Sequence, residues 1–226
     1  MNDLNPTTLD FLRGKTFSNG TRFDLYERGP GVERNARLIK LVRGKRVLHI
    51  GCCDHLPLIR EKVAAGRYLH QRLCESAQRC VGVDINAEGV QLLRELGFPE
   101  TFLPADAPRD EYDICLLADV IEHVGDVVSF LRSMKEWRFK EIVVVTPNGF
   151  RLRNWLSGGE VINTDHRYWF TPYTLCKVMT DAGFEPTGVE LLHGDTGSWR
   201  GRMLARALDP FPKVRDNLLV RARLAP

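Results

Sequence analysis

Residues 45–54 read Lys-Arg-Val-Leu-His-Ile-Gly-Cys-Cys-Asp, and residues 81–86 read Val-Gly-Val-Asp-Ile-Asn. The first is an apolar run that ends in a glycine turn, and the second is an apolar run that ends in an acid. With a helical stretch between them, this order is typical of the opening strand–helix–strand unit of a nucleotide-binding sheet. Asp84 would lie at the carboxyl end of the second strand, where a carboxylate accepts hydrogen bonds from both hydroxyls of a ribose. The two stretches therefore predict a cofactor that contains a nucleoside.

The composition indicates an ordinary globular protein. The chain has 226 residues, of which 43% are hydrophobic, and this is enough for one full core. The net charge is +3 and the basic residues are scattered, so we expect no nucleic-acid partner. The six cysteines form no Cys-x-x-Cys pair, and together with the nearby histidines they match no common zinc spacing. We therefore expect buried free thiols and no metal.

The N-terminus and the apolar runs bear on localisation. The first ten residues, MNDLNPTTLD, lack a basic patch followed by an apolar stretch, so we expect no signal peptide. No apolar run approaches the roughly 20 residues that a membrane-spanning helix needs. These features predict a soluble, cytoplasmic protein with no membrane partner. The sequence does not predict an oligomeric state.

Strand-like and helix-like segments alternate along the chain. This alternation predicts an α/β fold: a Rossmann-like, doubly wound and mostly parallel sheet with helices on both faces. The last strand returns after a loop and a short helix, which favours an antiparallel insertion. The predicted strands are Arg46–Ile50, Cys80–Asp84, Thr101–Leu103, Tyr112–Ala118, Glu141–Thr146, Thr187–Leu192 and Asn217–Leu224. Residues 1–44 are predicted to form a helical cap, in part a lid, and residues 45–226 the cofactor-binding domain.

From about residue 45 to the C-terminus, this pattern resembles the class I S-adenosylmethionine-dependent methyltransferases. Gly51 matches the first glycine of that family's turn after strand one, and Asp84 matches its ribose-binding acid. Residues 113–124, Asp-Ile-Cys-Leu-Leu-Ala-Asp-Val-Ile-Glu-His-Val, resemble the family's fourth strand and the turn after it. Residues 165–175, followed by Ala-Gly-Phe at 182–184, are similar to a stretch common in bacterial members. The His-Ile-Gly form of the turn resembles a subgroup associated with bacterial glycan or secondary metabolism.

The resemblance implies S-adenosylmethionine as the cofactor and a set of residues that bind it. Asp106 matches the acid that accepts the adenine amino group, with Ala105 and Ala107 beside the ring. The family usually has further glycines where Cys53 and His55 stand, and larger side chains there limit how closely the backbone approaches a ligand. The implied cofactor-binding residues are His49, Gly51, Cys52, Asp84, Ile85, Asp106, Ala107, Ala118 and Asp119.

Two histidines are the catalytic candidates. His123 follows strand four, where a neutral imidazole is suited to take a proton from an acceptor hydroxyl during methyl transfer. The alternative is that His123 packs beneath the cofactor or caps a helix. His166 lies before a helix and either reaches into the acceptor pocket or braces its loop.

Two further groups leave alternatives open. Asp119, Glu122 and His123 have the acid-x-x-acid-His spacing that some quinone-pathway O-methyltransferases use to hold a divalent ion, yet members without a metal carry the same string. The aromatic residues 168–170 and Tyr173 either line an apolar acceptor pocket or pack in the core.

We expect a methyltransferase acting on a small hydroxylated acceptor, with a sugar or glycan precursor as the first candidate and O-methylation favoured over N-methylation. Residues 1–44, 148–170 and 194–198 are expected to supply the acceptor pocket. One alternative is a catalytically inactive, methyltransferase-like binding protein, which the altered glycine turn favours. The other is a nucleotide-cofactor oxidoreductase, although only Gly51 remains of the Gly-x-Gly-x-x-Gly turn which that class normally keeps.

Overall fold

A computed structural model describes residues 4–22, 24–26, 28–156, 164–195, 197 and 199–225. The α-helices within these ranges are α1 (Pro6–Leu12), α2 (Arg34–Val42), α3 (Leu56–Ala64), α4 (Leu69–Ser76), α5 (Ala87–Glu95), α6 (Val127–Ser133), α7 (Leu152–Leu156), α8 (Pro172–Asp181) and α9 (Trp199–Ala207). The strands are β1 (Arg46–Ile50), β2 (Arg79–Val83), β3 (Thr101–Phe102), β4 (Glu111–Ala118), β5 (Arg138–Pro147), β6 (Phe184–Leu192) and β7 (Asn217–Leu224). Short 3-10 turns occupy Met134–Glu136 and Pro212–Val214.

The sheet has the strand order β3-β2-β1-β4-β5-β7-β6. β1 pairs in parallel with both β2 and β4, and β2 pairs in parallel with β3. β6 and β7 pair antiparallel, from Phe184 opposite Leu224 to Leu192 opposite Asn217. The predicted Rossmann-like sheet with an antiparallel last strand is therefore confirmed.

Some predicted boundaries need correction. β5 begins at Arg138 and β6 at Phe184, each three residues before the predicted start. The first residues of β5 are exposed or half-exposed and mostly charged, and Pro186 interrupts the strand pattern near the start of β6. α6 ends at Ser133, and the chain continues as the 3-10 turn of Met134–Glu136. α7 begins at Leu152, after residues 148–151 form a turn.

Local sequence accounts for the ends of the helices. The Asn86 side chain accepts a hydrogen bond from the Gly89 backbone and so caps α5. Thr171 and Thr174 exchange side-chain-to-backbone hydrogen bonds at the start of α8, where Pro172 occupies the first turn. These caps satisfy amide groups that a helix N-terminus otherwise leaves without intrahelical partners.

The chain divides into two compact units. Unit 2 comprises residues 35–120 and 137–142, and thus holds α2 to α5, β1 to β4 and the start of β5. In β1 and β2, four of five residues are buried, as expected for parallel strands that are covered on both faces. A cluster formed by Cys52, Ile59, Tyr68 and Leu93 packs α3 and α5 together beside the turn after β1.

Unit 1 comprises residues 1–34, 121–136 and 143–226. Its N-terminal segment is held by Arg215, whose side chain is only 3% exposed. Arg215 donates hydrogen bonds to the carbonyl oxygens of Gly29 (2.5 Å) and Leu191 (3.1 Å). The Asp209 carboxylate accepts hydrogen bonds from the Gly31 backbone (2.7 Å) and pairs with His193 Nε2 (3.0 Å). The predicted cap at residues 1–44 falls in both units and stays a prediction.

Within the described ranges, none of the helices combines the length and the apolarity that crossing a bilayer requires.

Candidate cofactor site and catalytic cluster

The turn after β1 is built around Gly51. Its φ is +71°, in the left-handed region that favours glycine, and a Cβ at this position would overlap Cγ2 of Val120. The Gly51 backbone N–H donates a hydrogen bond to the Val83 carbonyl oxygen at 2.8 Å, so the turn is tied to the end of β2. Both the backbone conformation and the space therefore require glycine here.

A buried tyrosine fixes the next residue of this turn. The Tyr68 hydroxyl donates a hydrogen bond to the Cys52 carbonyl oxygen at 2.6 Å, and Tyr68 is 2% exposed. Hydrogen bonding to Cys53, burial and the nearby acid raise the pKa of the Cys52 thiol well above its usual range. Cys52 is therefore a neutral, packed thiol, and its contribution to a cofactor site would come from its backbone.

The Asp84 carboxylate is oriented by two backbone amides. Oδ2 accepts a hydrogen bond from Cys53 N at 2.8 Å, and Oδ1 accepts one from Asn86 N at 2.9 Å. A carboxylate has about four acceptor sites, so each oxygen keeps lone-pair capacity for a second donor such as a ribose hydroxyl. The side chain is thus held at the carboxyl end of β2 in one orientation.

The other cofactor candidates follow neighbouring strand ends in unit 2. Since β1, β2, β3 and β4 are parallel, the segments after them lie along the same edge of the sheet. Ala118 ends β4 and is 7% exposed, while Ile85 beside Asp84 is 88% exposed. Asp106 is exposed in the loop after β3 and Ala107 is 6% exposed. This edge carries residues with the polarity and exposure that a nucleoside site needs.

Asp119 has an unusual backbone. Its φ is +55°, and it is the one non-glycine residue with positive φ among the residues that the structure describes. Aspartate tolerates this region better than most residues, and such conformations concentrate at functional sites. Asp119 directly follows β4, at the same edge as Gly51 and Asp84.

The position of His49 limits the way in which it can take part. His49 is 2% exposed, and its ring stacks on the ring of His70 with the centroids 5.3 Å apart. The imidazole therefore packs within the fold, two residues before Gly51 along the chain. The contribution of His49 to cofactor binding stays a prediction.

The catalytic candidates form a cluster in unit 1. The nitrogens of His123 and His166 and the carboxylate of Glu122 lie within 4.8 Å of one another. The two imidazole rings meet edge to face, with their centroids 4.7 Å apart. Glu122 is fully buried and its Oε2 accepts a hydrogen bond from Thr146 Oγ1 at 2.9 Å. The backbone of Arg167 donates to the Glu122 carbonyl at 2.8 Å, which brings the His166 segment to the segment after β4.

One hydrogen bond fixes the tautomer of His123 in its neutral form. Nδ1 of His123 lies 3.2 Å from the carbonyl oxygen of Asp165. A carbonyl oxygen only accepts hydrogen bonds, so Nδ1 carries the proton and Nε2 bears the lone pair. A general base needs this arrangement.

The aromatic residues divide between the two predicted roles. Phe170 is 4% exposed and packs in the core, whereas Tyr173 is 39% exposed. Trp169 meets the ring of His166 edge-on at 5.8 Å, and the Arg151 guanidinium lies 4.6 Å from the centre of its ring. The Tyr168 hydroxyl donates to the Gly125 carbonyl oxygen at 2.6 Å.

Unit 1 also contains a cavity of about 430 Å³. Its walls include the side chains of Leu25, Tyr26, Phe150 and Tyr173. Its polar lining includes Asp24, Thr21 and Lys213, and the ammonium group of Lys213 lies 4.4 Å from the centre of the Phe150 ring. Of the segments predicted to form the acceptor pocket, residues 1–3, 23, 27, 157–163, 196 and 198 lie outside the described residues.

Comparison with known proteins decides the family. A family model described as a methyltransferase domain matches residues 22–189.

The chain belongs to this methyltransferase family.

Curated relatives and solved structures agree with this assignment. The chain is 26% identical over 167 residues to a ubiquinone biosynthesis O-methyltransferase of Rhodopseudomonas palustris (strain BisB18). The matched region covers 70% of the chain and 55% of that protein. It is 28% identical over 212 residues to a protein of the same name from Azorhizobium caulinodans, which covers 80% of the chain and 70% of that protein. The chain thus spans little more than half the length of the first relative. A crystal structure of an S-adenosylmethionine-dependent methyltransferase from Archaeoglobus fulgidus shares the fold, with a TM-score of 0.53 at 20% identity, over 84% of the chain and 92% of that chain.

Membership of the methyltransferase family confirms the predicted resemblance and, at the level of the family, S-adenosylmethionine as the cofactor. It favours this cofactor over the nucleotide cofactor of an oxidoreductase. The individual site residues stay predictions. Two residues that position candidate site residues were not predicted from the sequence. Tyr68 donates a hydrogen bond to the backbone of the turn after Gly51, and Thr146 donates one to Glu122. Thr146 is the one polar residue in the buried run 142–146 of β5, and this feature of the sequence could have identified it.

Proposed function

We propose that the chain transfers a methyl group from S-adenosylmethionine to a hydroxyl oxygen of a small acceptor. The observation that carries the proposal is the Asp84 carboxylate, which two backbone amides hold at the carboxyl end of β2 beside the Gly51 turn. In this proposal the two oxygens of Asp84 accept the ribose hydroxyls. Asp106 and Ala107 would bind the adenine, and the backbone at Gly51 and Cys52 would approach the methionine part.

The protein has little covalent chemistry to perform, because the sulfonium methyl group of the cofactor is already an electrophile. Its tasks are to align the acceptor, to exclude water and to remove a proton. His123 is the proposed base, since its Nδ1–H is bonded to the Asp165 carbonyl and its Nε2 is left as the acceptor. In this proposal His166 and the buried Glu122 orient the His123 ring and stabilise its protonated form.

The cavity in unit 1 is the proposed acceptor pocket. Its volume of about 430 Å³ suits a small molecule. The rings of Tyr26, Phe150 and Tyr173 offer faces on which either an aromatic ring or the apolar face of a sugar can stack. The hydroxyl of Thr21, the carboxylate of Asp24 and the ammonium group of Lys213 can bond acceptor hydroxyls. A sugar or glycan precursor and a phenol are therefore the two acceptor classes to test, and the O-methyltransferase name of the relatives favours oxygen over nitrogen.

A second candidate role for the Glu122–His123–His166 cluster is to hold a divalent cation. One carboxylate oxygen and two imidazole nitrogens within 4.8 Å of one another are a donor set that such ions accept. In that case the ion would lower the pKa of the acceptor hydroxyl, and the His123 imidazole would serve as a ligand instead of accepting the proton. The two roles differ in an assay: a chelator abolishes turnover if a cation is required and leaves it unchanged if His123 is the base.

The proposal is tested by measuring S-adenosylhomocysteine release with matched panels of phenols, sugars and primary amines. We expect turnover with hydroxylated acceptors, with and without a chelator, and at least a hundredfold slower turnover for His123→Ala. Tyr173→Ala should raise the acceptor KM. Phe211→Ala is the control for that variant, because Phe211 is also exposed, at 63%, but does not line the cavity.

Two results would contradict the proposal. Turnover with amines alone would replace O-methylation by N-methylation. Binding of S-adenosylhomocysteine without turnover on any panel would favour the catalytically inactive binding protein.

A further inference from the structure

A buried cluster of two imidazoles and two thiols lies in unit 2, and three of its members, His70, Cys74 and Cys80, have no part in the proposed methyl transfer. Its members are His49 on β1, His70 and Cys74 on α4, and Cys80 on β2. His49, His70 and Cys80 are 2%, 1% and 6% exposed, and Cys74 is half-buried. Nucleophilic and metal-ligating groups concentrated in a core need a physical reason, because apolar side chains would pack there at a lower cost.

Secondary structure brings these four residues together. Successive side chains of a strand point to opposite faces, so Cys80 and Gly82 share one face of β2. The parallel register pairs His49 with Gly82, which places the His49 side chain on that same face. His70 and Cys74 are four residues apart on α4 and therefore lie on one face of the helix. The donors of the helix and those of the strands meet where α4 packs on β2.

The sheet also leaves room for the His70 ring. A Cβ on Gly82 would lie 2.8 Å from Cε1 and 2.9 Å from Nε2 of His70. Glycine in the interior of a strand weakens the strand and often marks a close approach. Phe98 packs against the ring from another side, with the centroids 5.8 Å apart. The position of His70 is therefore built into the fold.

The donor atoms lie close enough together to surround one cation. One donor atom each of His70, Cys74 and Cys80 lies within 4.8 Å of the other two. Nδ1 of His49 lies 3.1 Å from Nδ1 of His70, and that nitrogen lies 3.9 Å from the Cys80 sulfur. The Cys74 sulfur lies 3.7 Å from Nε2, the other nitrogen of the His70 ring. A tetrahedral zinc site has edges of roughly 3.3 Å between nitrogens and roughly 3.6 Å between nitrogen and sulfur, and the cation binds only one nitrogen of each ring. The His70 or Cys74 side chain therefore has to rotate towards the shared nitrogen when the cation binds.

We propose that His70, Cys74 and Cys80, with His49 as the fourth donor, form a binding site for a thiophilic cation such as Zn²⁺. Thiolate and imidazole ligands select such ions over Mg²⁺ and Ca²⁺. Because the donors come from β1, α4 and β2, the bound cation joins α4 to the sheet beneath it. Its role is structural.

The experiment uses Co²⁺ and Zn²⁺ on the full chain, reduced and freed of metal by a chelator. Cobalt bound by thiolate gives a near-ultraviolet sulfur-to-cobalt charge-transfer band, and zinc added afterwards should abolish that band. We expect wild type to bind one equivalent with this band, and Cys74→Ser and Cys80→Ser each to lose the band and at least tenfold in affinity. Cys115→Ser and Cys176→Ser are matched controls, because both thiols are buried in the described structure outside the cluster; they should keep the band.

Circular dichroism and thiol counting under denaturing conditions separate the possible outcomes. A folded, fully reduced wild type without the band overturns the proposal. So does a band that survives in Cys80→Ser but disappears in Cys53→Ser, because it would come from the group formed by Cys52, Cys53 and Asp84. Protein that as purified carries a Cys74–Cys80 disulfide and binds no cobalt after reduction also overturns it, in favour of a redox pair.

Discussion

Replacing Gly51 by alanine tests the turn on which the cofactor site depends. Two costs are expected. A left-handed backbone, here with φ of +71°, costs a non-glycine residue about 1–2 kcal/mol. The added methyl group overlaps Cγ2 of Val120, and overpacking of this kind costs about 1–3 kcal/mol. The free energy of unfolding should therefore fall by about 2–5 kcal/mol, with loss of S-adenosylhomocysteine binding.

Gly44 offers a matched control at the other end of β1. Its φ is +68°, and a Cβ there would meet nothing within 4 Å. Gly44→Ala should therefore show only the backbone cost of about 1–2 kcal/mol and keep full affinity for S-adenosylhomocysteine. The difference between the two variants measures the clash with Val120.

A double-mutant cycle isolates that clash. Val120→Ala removes Cγ2, so the double variant Gly51→Ala/Val120→Ala should recover about 1–3 kcal/mol relative to the sum of the single variants. Thermal and urea unfolding provide the stabilities, and isothermal calorimetry provides the affinities. The reasoning is refuted if Gly51→Ala is no less stable than Gly44→Ala, or if the cycle shows no coupling.

The remaining predictions concern unit 1. The hydrogen bond from His193 is the main cause that lowers the pKa of Asp209, so this acid stabilises the fold above its unfolded pKa of about 3.9, and the stabilisation is lost as pH falls through the lower folded value. The difference in unfolding temperature between wild type and Asp209→Asn should therefore be full near pH 6 and shrink towards pH 3. A difference that stays constant with pH would contradict this. Thr146→Val removes a hydrogen bond to the buried Glu122 carboxylate and should lower the free energy of unfolding, measured by chemical denaturation, by about 1.5–3 kcal/mol. Thr146→Ser keeps the hydroxyl and should lower it much less. Equal losses in the two variants would exclude the hydrogen bond as the cause. Thr171→Ala removes the cap of α8 and should cost about 1 kcal/mol, while Thr171→Ser should be close to wild type; an unchanged Ala variant would mean that the cap contributes nothing.

Local patterns were sufficient for most of the fold. β1 and β7 have the predicted bounds, and the end of β1 could be located because Gly51 directly follows its apolar run. Asp84 could be found because the residues that define its site, the strand before it and the Gly51 turn, form a short and recognisable sequence unit. The antiparallel placement of β7 agrees with the prediction made from the loop and the short helix that precede this strand.

Contacts between residues far apart in the sequence could not be predicted. His123 and Asp165 are 42 residues apart, and only the paths of the loops in unit 1 bring them together. The buried His70 cluster was missed for a similar reason: Cys80 joins it through the packing of α4 on β2, which no spacing rule encodes. The expectation of no metal was drawn from linear spacing alone.

The affinity for S-adenosylhomocysteine of wild type, Asp84→Ala and Asp113→Ala, measured by isothermal calorimetry, tests the central claim most directly. Asp113 is a matched control: its carboxylate also accepts a backbone hydrogen bond, from Arg46 at 2.9 Å, but it lies near the amino end of β4. Two hydrogen bonds to a charged group are worth about 3–6 kcal/mol, so Asp84→Ala should weaken binding by at least about a hundredfold while Asp113→Ala binds like wild type. Equal affinities for Asp84→Ala and wild type, with the fold intact by circular dichroism, would contradict the account.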